Sequence, residues 1–368
     1  MFKTKGSVFM DIDNVGSSLS FVMSNEEKLP ELGKYSVLIE VRACGLTLPL
    51  CDINTISQTL RKSGKKRVAV GQDISGIVRA VGTDVSSVRI GDQVVGIIPL
   101  DYEQSGCAEK IVLQEYDVVV KPNSVSFIDA ASCIGEGMTA YLALHYLGRM
   151  TSGDTILVVN GASPLGSACI QLAHHWGARV VATCSTSDEK LYLQTLANKL
   201  VQVVNTAENK TDLRAVCLKE TANLGFTLII DQRTNNVSSQ VIKHNINDVD
   251  STTMKDYDPS VLTNHEIISC LSVGGHWVTT NPSLQLDPPH SQQLSLRCAS
   301  LGFLMDQPWL MSGSFQGKYQ HILMDVVEKI STYILRPNIH HSIHRDGLLE
   351  ACQDIGELNV GKIVLNIN

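Results

Sequence analysis

The chain has no C-x-x-C pair, no long basic tract, and no apolar run approaching the 18 or so residues that a membrane-crossing helix needs. Each absence removes a class of protein. The ten cysteines are scattered, mostly among apolar neighbours (Cys169, Cys184, Cys217, Cys270), and read as buried reduced thiols rather than disulfides. A net charge of −7 without a basic run argues against nucleic acid or an anionic membrane surface as partner. The opening MFKTKGSVFMDID has neither an apolar signal core nor a cleavage site, so the expectation is a soluble, cytoplasmic (cytosolic) protein.

What the chain does have is length for about two domains and an ordinary apolar fraction of 43%. The stretch 155–183, TILVVNGASPLGSACIQLAHHWGARVVAT, organises the rest. TILVV is an apolar, β-branched run suited to a strand buried on both faces of a parallel sheet. A glycine turn follows, made of Gly161, Ala162, Ser163, Pro164, Leu165 and Gly166. Helical spacing then places Leu165, Cys169, Leu172 or Ala173, and Trp176 on one face. Gly177 supplies a left-handed stop, and RVVAT resumes as a strand.

This strand–turn–helix–strand order is the setting of a dinucleotide fingerprint, with Gly161 and Gly166 at its outer positions and Ser163 in place of the central glycine. Ser163 costs backbone clearance, although its hydroxyl can donate to a phosphate. Pro164 suits the first helical position but removes one N–H from an anion site. A strand–turn–helix unit that binds nothing would carry the same pattern, so the motif alone leaves both readings open.

Residues before about 125 read as short strands broken by turns. YSVLIEVRACGL alternates, and 71–100 is rich in Val, Ile and punctuating Gly, as in a small antiparallel barrel. KSGKKR (62–67) reads as a solvated loop. From Ile128 to Met150 the spacing turns helical, with Ser126 as its cap. After RVVAT, Ser187 with Asp188 and Glu189 opens another helix, and VQVVN and FTLIID follow as strands. Residues from about 235 to 265 are polar and weakly patterned, an insertion. IISCLSVGGHWVTT gives a further strand with Gly274 and Gly275 at its tail, and KYQHILMDVVEKISTYI an amphipathic helix. GKIVLNI closes the chain as a strand.

Three motifs carry a family resemblance: G-x-D-x-x-G-x-V-x-x-V-G followed by G-D-x-V (71–94), G-M-T-A-Y (137–141) and G-K-I-V-L (361–365). With them the chain resembles the medium-chain dehydrogenase/reductase superfamily, in its zinc-free quinone oxidoreductase (zeta-crystallin) branch. The resemblance implies an α/β fold, a Rossmann-type doubly wound parallel sheet plus a GroES-like β-barrel domain. It places a GroES-like catalytic domain at 1–125, a nucleotide-binding domain at 126–302 and a C-terminal return to the catalytic domain at 303–368. Cofactor and substrate would meet in the cleft between domains.

Metal chemistry is not expected. The G-H-E motif that supplies a zinc ligand in metal-dependent relatives reads Gly71-Gln72-Asp73 here, and an amide is a poor zinc ligand. His340, His341 and His344 lie in a polar connection without a Cys or carboxylate at ligand spacing. At the ribose end, the position where NAD-selective sites place an acid reads Thr183-Cys184-Ser185. Ser185 and Lys190 suit a 2′-phosphate, so NADPH (NADP) is the expected cofactor, with Gly161, Ala162, Ser163, Leu165, Gly166, Gly274 and Gly275 as its other contacts. By family geometry Thr139 stands at the nicotinamide, and Asn54 or Thr55 at the oxygen of a quinone or enone substrate. A homo-oligomer stays open as a partner state. Two functions remain: an NADPH-dependent reductase of quinones or related conjugated carbonyls, and a nucleotide-binding, catalytically silent relative that acts through binding or assembly.

Overall fold

The computed structural model describes residues 3–11, 20–46, 66–200, 202–207, 213–233, 262–355 and 358–367. Asn54, Thr55, most of the KSGKKR tract and most of the 235–265 insertion lie outside them. The chain divides into two compact units. One runs through Leu142 and resumes from Met305; the other is essentially Ala143–Leu304.

The second unit is built on six parallel strands. Across the sheet they are Gln202–Asn205, Arg179–Cys184, Thr155–Val158, Phe226–Asp231, Leu271–Thr279 and Ser300–Phe303. In chain order this is third, second, first, fourth, fifth, sixth, the doubly wound arrangement in which ligands bind where the order reverses. The TILVV expectation holds because both faces are covered: Ile156, Leu157 and Val158 are each 1% exposed or less. Leu157, Val181, Ile229 and Trp277 form the heart of one buried cluster, with Trp277 fully buried.

Local chemistry sets the helix after the first strand. Ser163 caps Pro164–His175, with proline at the first position where its missing N–H costs nothing. The chain turns back at Gly177, whose φ of 87° suits a residue without a β-carbon. Thr186 caps the next helix, Ser187–Thr195.

The first unit is mostly antiparallel. Its organising strand is Ser36–Leu46. One edge pairs with Asp73–Val81; the other is shared between Lys110–Gln114 and the C-terminal strand Lys362–Asn366. The end of the chain is thereby a structural part of the N-terminal unit. The helix Phe127–Tyr141, capped by the Ser126 hydroxyl accepting from the Asp129 N–H, also belongs there. Its Ala131 shares a buried cluster with Ala43 and Val364, which gives the helix its packing face. Among the described residues no helix is long and apolar enough to cross a membrane.

Candidate functional site

The reversal of strand order falls between Thr155–Val158 and Phe226–Asp231, and the glycine turn sits at the carboxyl end of the first. The turn is tight. A β-carbon on Gly161 would lie 2.8 Å from Ala182 Cβ, and one on Gly166 would lie 2.5 Å from the Asn160 carbonyl oxygen and 2.9 Å from Gly161 Cα. These are the roles of the outer fingerprint glycines, a close turn and close helix–strand approach. Gly166→Ala is expected to cost about 1–3 kcal/mol, because the clash is with backbone rather than a movable side chain. Thermal unfolding checks it, and an unchanged midpoint would show that the turn has slack.

Much of the turn's hydrogen-bonding capacity is spent internally. The Gly161 N–H donates to Thr183 O (3.0 Å) and the Ser163 N–H to Asn160 O (3.2 Å). The Ser163 hydroxyl accepts from the Gly166 N–H (2.9 Å) and donates to Gln232 Oε1 (2.8 Å). Ala162 and Leu165 are buried, 1% and 3% exposed. The turn is therefore closed, with the N–H groups of Gly161, Ser163 and Gly166 already bonded.

Gln232 is the residue sequence reasoning missed. It follows the strand Phe226–Asp231, and its Nε2 donates to Val159 O (3.2 Å) while its Oε1 takes the Ser163 proton. Asn160, at φ 58°, donates from Nδ2 to the Gln232 carbonyl (3.3 Å). One amide side chain thus ties the two strands together at the place where the order reverses.

The strand Arg179–Cys184 carries no acid of its own, but the next helix brings one to its end. Glu189 reaches back to accept from the Ser185 N–H (2.6 Å) and from its hydroxyl (3.2 Å to Oε2). Ser185 is therefore already engaged. Lys190 sits one residue on, its N–H bonded to Thr186 O at 3.1 Å.

Gly274 and Gly275 are not brought to this place. The register aligns Leu228 with His276 and Asp231 with Thr279, so both glycines lie toward the amino end of Leu271–Thr279. The carboxyl end of that strand is four residues beyond Gly275, roughly 13 Å at strand rise. The glycine pair marks a register irregularity between Phe226 and Leu228, inside the strand rather than at its tail. Thr139 belongs to the other unit. It is 2% exposed and its hydroxyl donates to Gly135 O (2.9 Å).

The first unit holds a second polar cluster. The Lys362 ammonium, from the C-terminal strand, pairs with Asp73 and with Glu136 (2.9 Å to Oε2), and all three side chains are at most 11% exposed. Burial works against the charge on Lys362, but Asp73 and Glu136 more than offset it, and its pKa is raised. Burial raises Glu136 also, and Lys362 only partly offsets this. Gln72 accepts at Oε1 from Gln307 Nε2 (3.3 Å). Cys107, solitary in the sequence, lies beside Cys44: a β-carbon on Gly71 would be 2.5 Å from Cys44 Sγ and 3.0 Å from Cys107 Sγ. Burial pushes the Cys44 thiol up. An amide and an ammonium-paired carboxylate do not fit zinc. Among the described residues no group of three or more His, Cys, Asp and Glu is placed to hold a metal ion. His340 and His341 meet at 2.7 Å between their Nδ1 atoms on the exposed strand Ile339–Ile343.

A doubly wound parallel sheet with a glycine turn at its switch point, carried with a GroES-like unit, defines the fold of medium-chain dehydrogenases and reductases. Residues 33–144 match the alcohol dehydrogenase GroES-like domain family. The chain is 37% identical over 343 residues to mouse (Mus musculus) quinone oxidoreductase-like protein 1, covering 92% of each. It is 33% identical over 191 residues to the 2-methylene-furan-3-one reductase of Solanum lycopersicum, 50% of this chain and 48% of that one. An alcohol dehydrogenase superfamily protein from Novosphingobium aromaticivorans shares its fold at a TM-score of 0.76 and 20% identity, covering 100% of both chains. A quinone oxidoreductase of Pseudomonas syringae pv. Tomato does so at 0.73 and 16%, covering 98% of this chain and 100% of that one. The chain belongs to the quinone oxidoreductase-like family of the medium-chain dehydrogenase/reductase superfamily. It is an oxidoreductase, of a superfamily that uses nicotinamide cofactors.

Proposed function

We propose that the protein is an NADPH-dependent, zinc-independent reductase that delivers hydride to quinones or related conjugated carbonyls. The observation that carries this reading is the first unit's donor set: Gln72 bonded to Gln307, and Asp73 paired with the Lys362 ammonium. Alcohol chemistry in metal-dependent relatives needs a Lewis acid to acidify the hydroxyl. A conjugated acceptor does not, because conjugation spreads the developing negative charge. The names of the mouse, Pseudomonas and tomato proteins point the same way, the last to an exocyclic enone.

When bound, the nicotinamide supplies the hydride. Gly161 and Gly166 allow the backbone to come close to the dinucleotide, and Ser185 and Lys190 are assigned to its 2′-phosphate. Thr139 is assigned to orient the ring, its hydroxyl direction fixed by the bond to Gly135 O. Asn54 and Thr55 are assigned to the substrate oxygen. The reaction belongs in the cytosol, on a small-molecule substrate.

A second reading, nucleotide binding with little catalysis, is favoured by one observation: the turn spends its Gly161 N–H on the neighbouring strand at Thr183 O, and its Ser163 and Gly166 N–H groups on Asn160 O and the Ser163 hydroxyl. Kinetics separate the two. NADPH should bind with a change in nicotinamide fluorescence, and deuterium should pass from one face of C4 only to a quinone or enone. Thr139→Val should lower the rate by about tenfold or more while the cofactor still binds, and simple alcohols should not be oxidised. NADPH binding without consumption above the buffer rate, for both quinones and enones, would replace the reductase by the silent relative.

A further inference from the structure

We propose that Glu189 is a specificity-determining residue for the nucleotide, holding back the preference for NADPH by occupying the groups that would take its 2′-phosphate. The inference rests on the nicotinamide-nucleotide reading above.

Ser185 stands directly after the strand Arg179–Cys184. That strand end touches the glycine turn: Thr183 O accepts from the Gly161 N–H (3.0 Å), and Thr183 Oγ1 accepts from the Asn160 N–H (3.1 Å). Ser185 has two protons to offer, one on nitrogen and one on oxygen, and Glu189 takes both, at 2.6 Å and 3.2 Å to Oε2.

The capping box that Glu189 forms with Thr186 explains only part of this. In a capping box the third helical residue reaches back to the N–H of the cap residue, here Thr186. That contact is the longest of the set at 3.4 Å. The carboxylate has gone one residue further, to Ser185, and is only 7% exposed there.

Competition follows from hydrogen count and charge. A 2′-phosphate is an anion that only accepts, so it must displace the carboxylate from Ser185 and then stay close to a like charge in a partly buried place. A 2′-hydroxyl can instead donate to the carboxylate, the part played by the acid at the strand end in NAD-binding sites. In this chain the acid comes from the following helix, which is why the strand itself reads as lacking one.

The test is Glu189→Gln, which removes the charge and keeps a residue able to complete the cap. Wild type and variant are titrated with NADPH and with NADH, with thermal unfolding as the check on folding. The expected result is a ratio of NADPH to NADH affinity at least roughly tenfold higher in the variant, the scale of removing one nearby like charge. Glu189→Ala should move the ratio the same way, even if its lost cap lowers the melting temperature. An unchanged ratio in a folded variant that binds both nucleotides overturns this inference and leaves the nucleotide reading standing. Failure of wild type and variants to bind either nucleotide overturns both.

Discussion

Lys362→Met should cost about 3–5 kcal/mol of folding stability, the usual consequence of removing one partner from a buried ion network. The side chain is 1% exposed and its ammonium pairs with both Asp73 and Glu136. Methionine fills a similar volume, so packing changes little and electrostatics dominate. What remains is two carboxylates in a place with no cation, one from the strand Asp73–Val81 and one from the helix Phe127–Tyr141. Burial already raises the Glu136 pKa, and without Lys362 it should rise further. A carboxyl whose folded pKa lies above its unfolded value contributes stability below the unfolded value, about 4.3 for Glu, and loses it as pH rises through the folded one. The variant should therefore lose stability more steeply than wild type as pH rises above the ordinary glutamate value of about 4.3. The raised Lys362 pKa gives wild type the opposite security, since that contribution is lost only on passing above the ordinary lysine range. Urea unfolding from about pH 4 upwards measures the difference between variant and wild type, and adding Glu136→Gln to Lys362→Met should recover part of the loss. Parallel pH profiles would mean that the cluster is hydrated and screened.

What the sequence made legible was what neighbouring residues decide. The strand–turn–helix unit from Thr155, the caps at Ser126 and the stop at Gly177 each depend on residues within a few positions. The doubly wound fold follows from such units in order, and the family motifs are also contiguous. Contacts made across the chain were not legible. Gln232 meets Ser163 across 69 positions, and Lys362 meets Asp73 across 289 and Glu136 across 226. Nothing local marks these partners, since a glutamine after a strand and a lysine at the start of one are ordinary. Glu189 was visible as a helix-start acid, but its reach to Ser185 was not, because a cap residue and a ribose-end residue have the same sequence signature. Gly274 and Gly275 misled for a related reason. A glycine pair says that the backbone is irregular, and only the strand register says at which end of the sheet.

The other large effect is expected at Asp231. Its carboxylate, 1% exposed, closes the strand Phe226–Asp231 and accepts four hydrogen bonds. They come from Trp277 Nε1 (3.0 Å), Arg233 Nε (2.8 Å), an Arg233 terminal nitrogen (2.7 Å) and the Arg233 backbone N–H (3.0 Å). Arg233 is not held by Asp231 alone, since it also donates to Asn264 Oδ1 (3.1 Å) and to Leu262 O. Asp231→Ala would leave a guanidinium only 14% exposed without its carboxylate and a fully buried indole N–H without an acceptor. The expected loss is about 3–5 kcal/mol, towards the lower figure because Arg233 keeps its two other acceptors. Asp231→Asn keeps an acceptor for Trp277 and should lose less. Adding Arg233→Met to Asp231→Leu removes both charges together and should recover much of the stability, as replacement of a whole buried pair often does. Gln232 follows Asp231 directly, so Asp231→Ala should also loosen the Gln232 contacts to Val159 and Ser163 and weaken nucleotide binding. Denaturant unfolding of the four proteins, with NADPH titration of those that fold, separates these effects. A loss below about 1 kcal/mol for Asp231→Ala would place the pair among solvent-screened surface bridges.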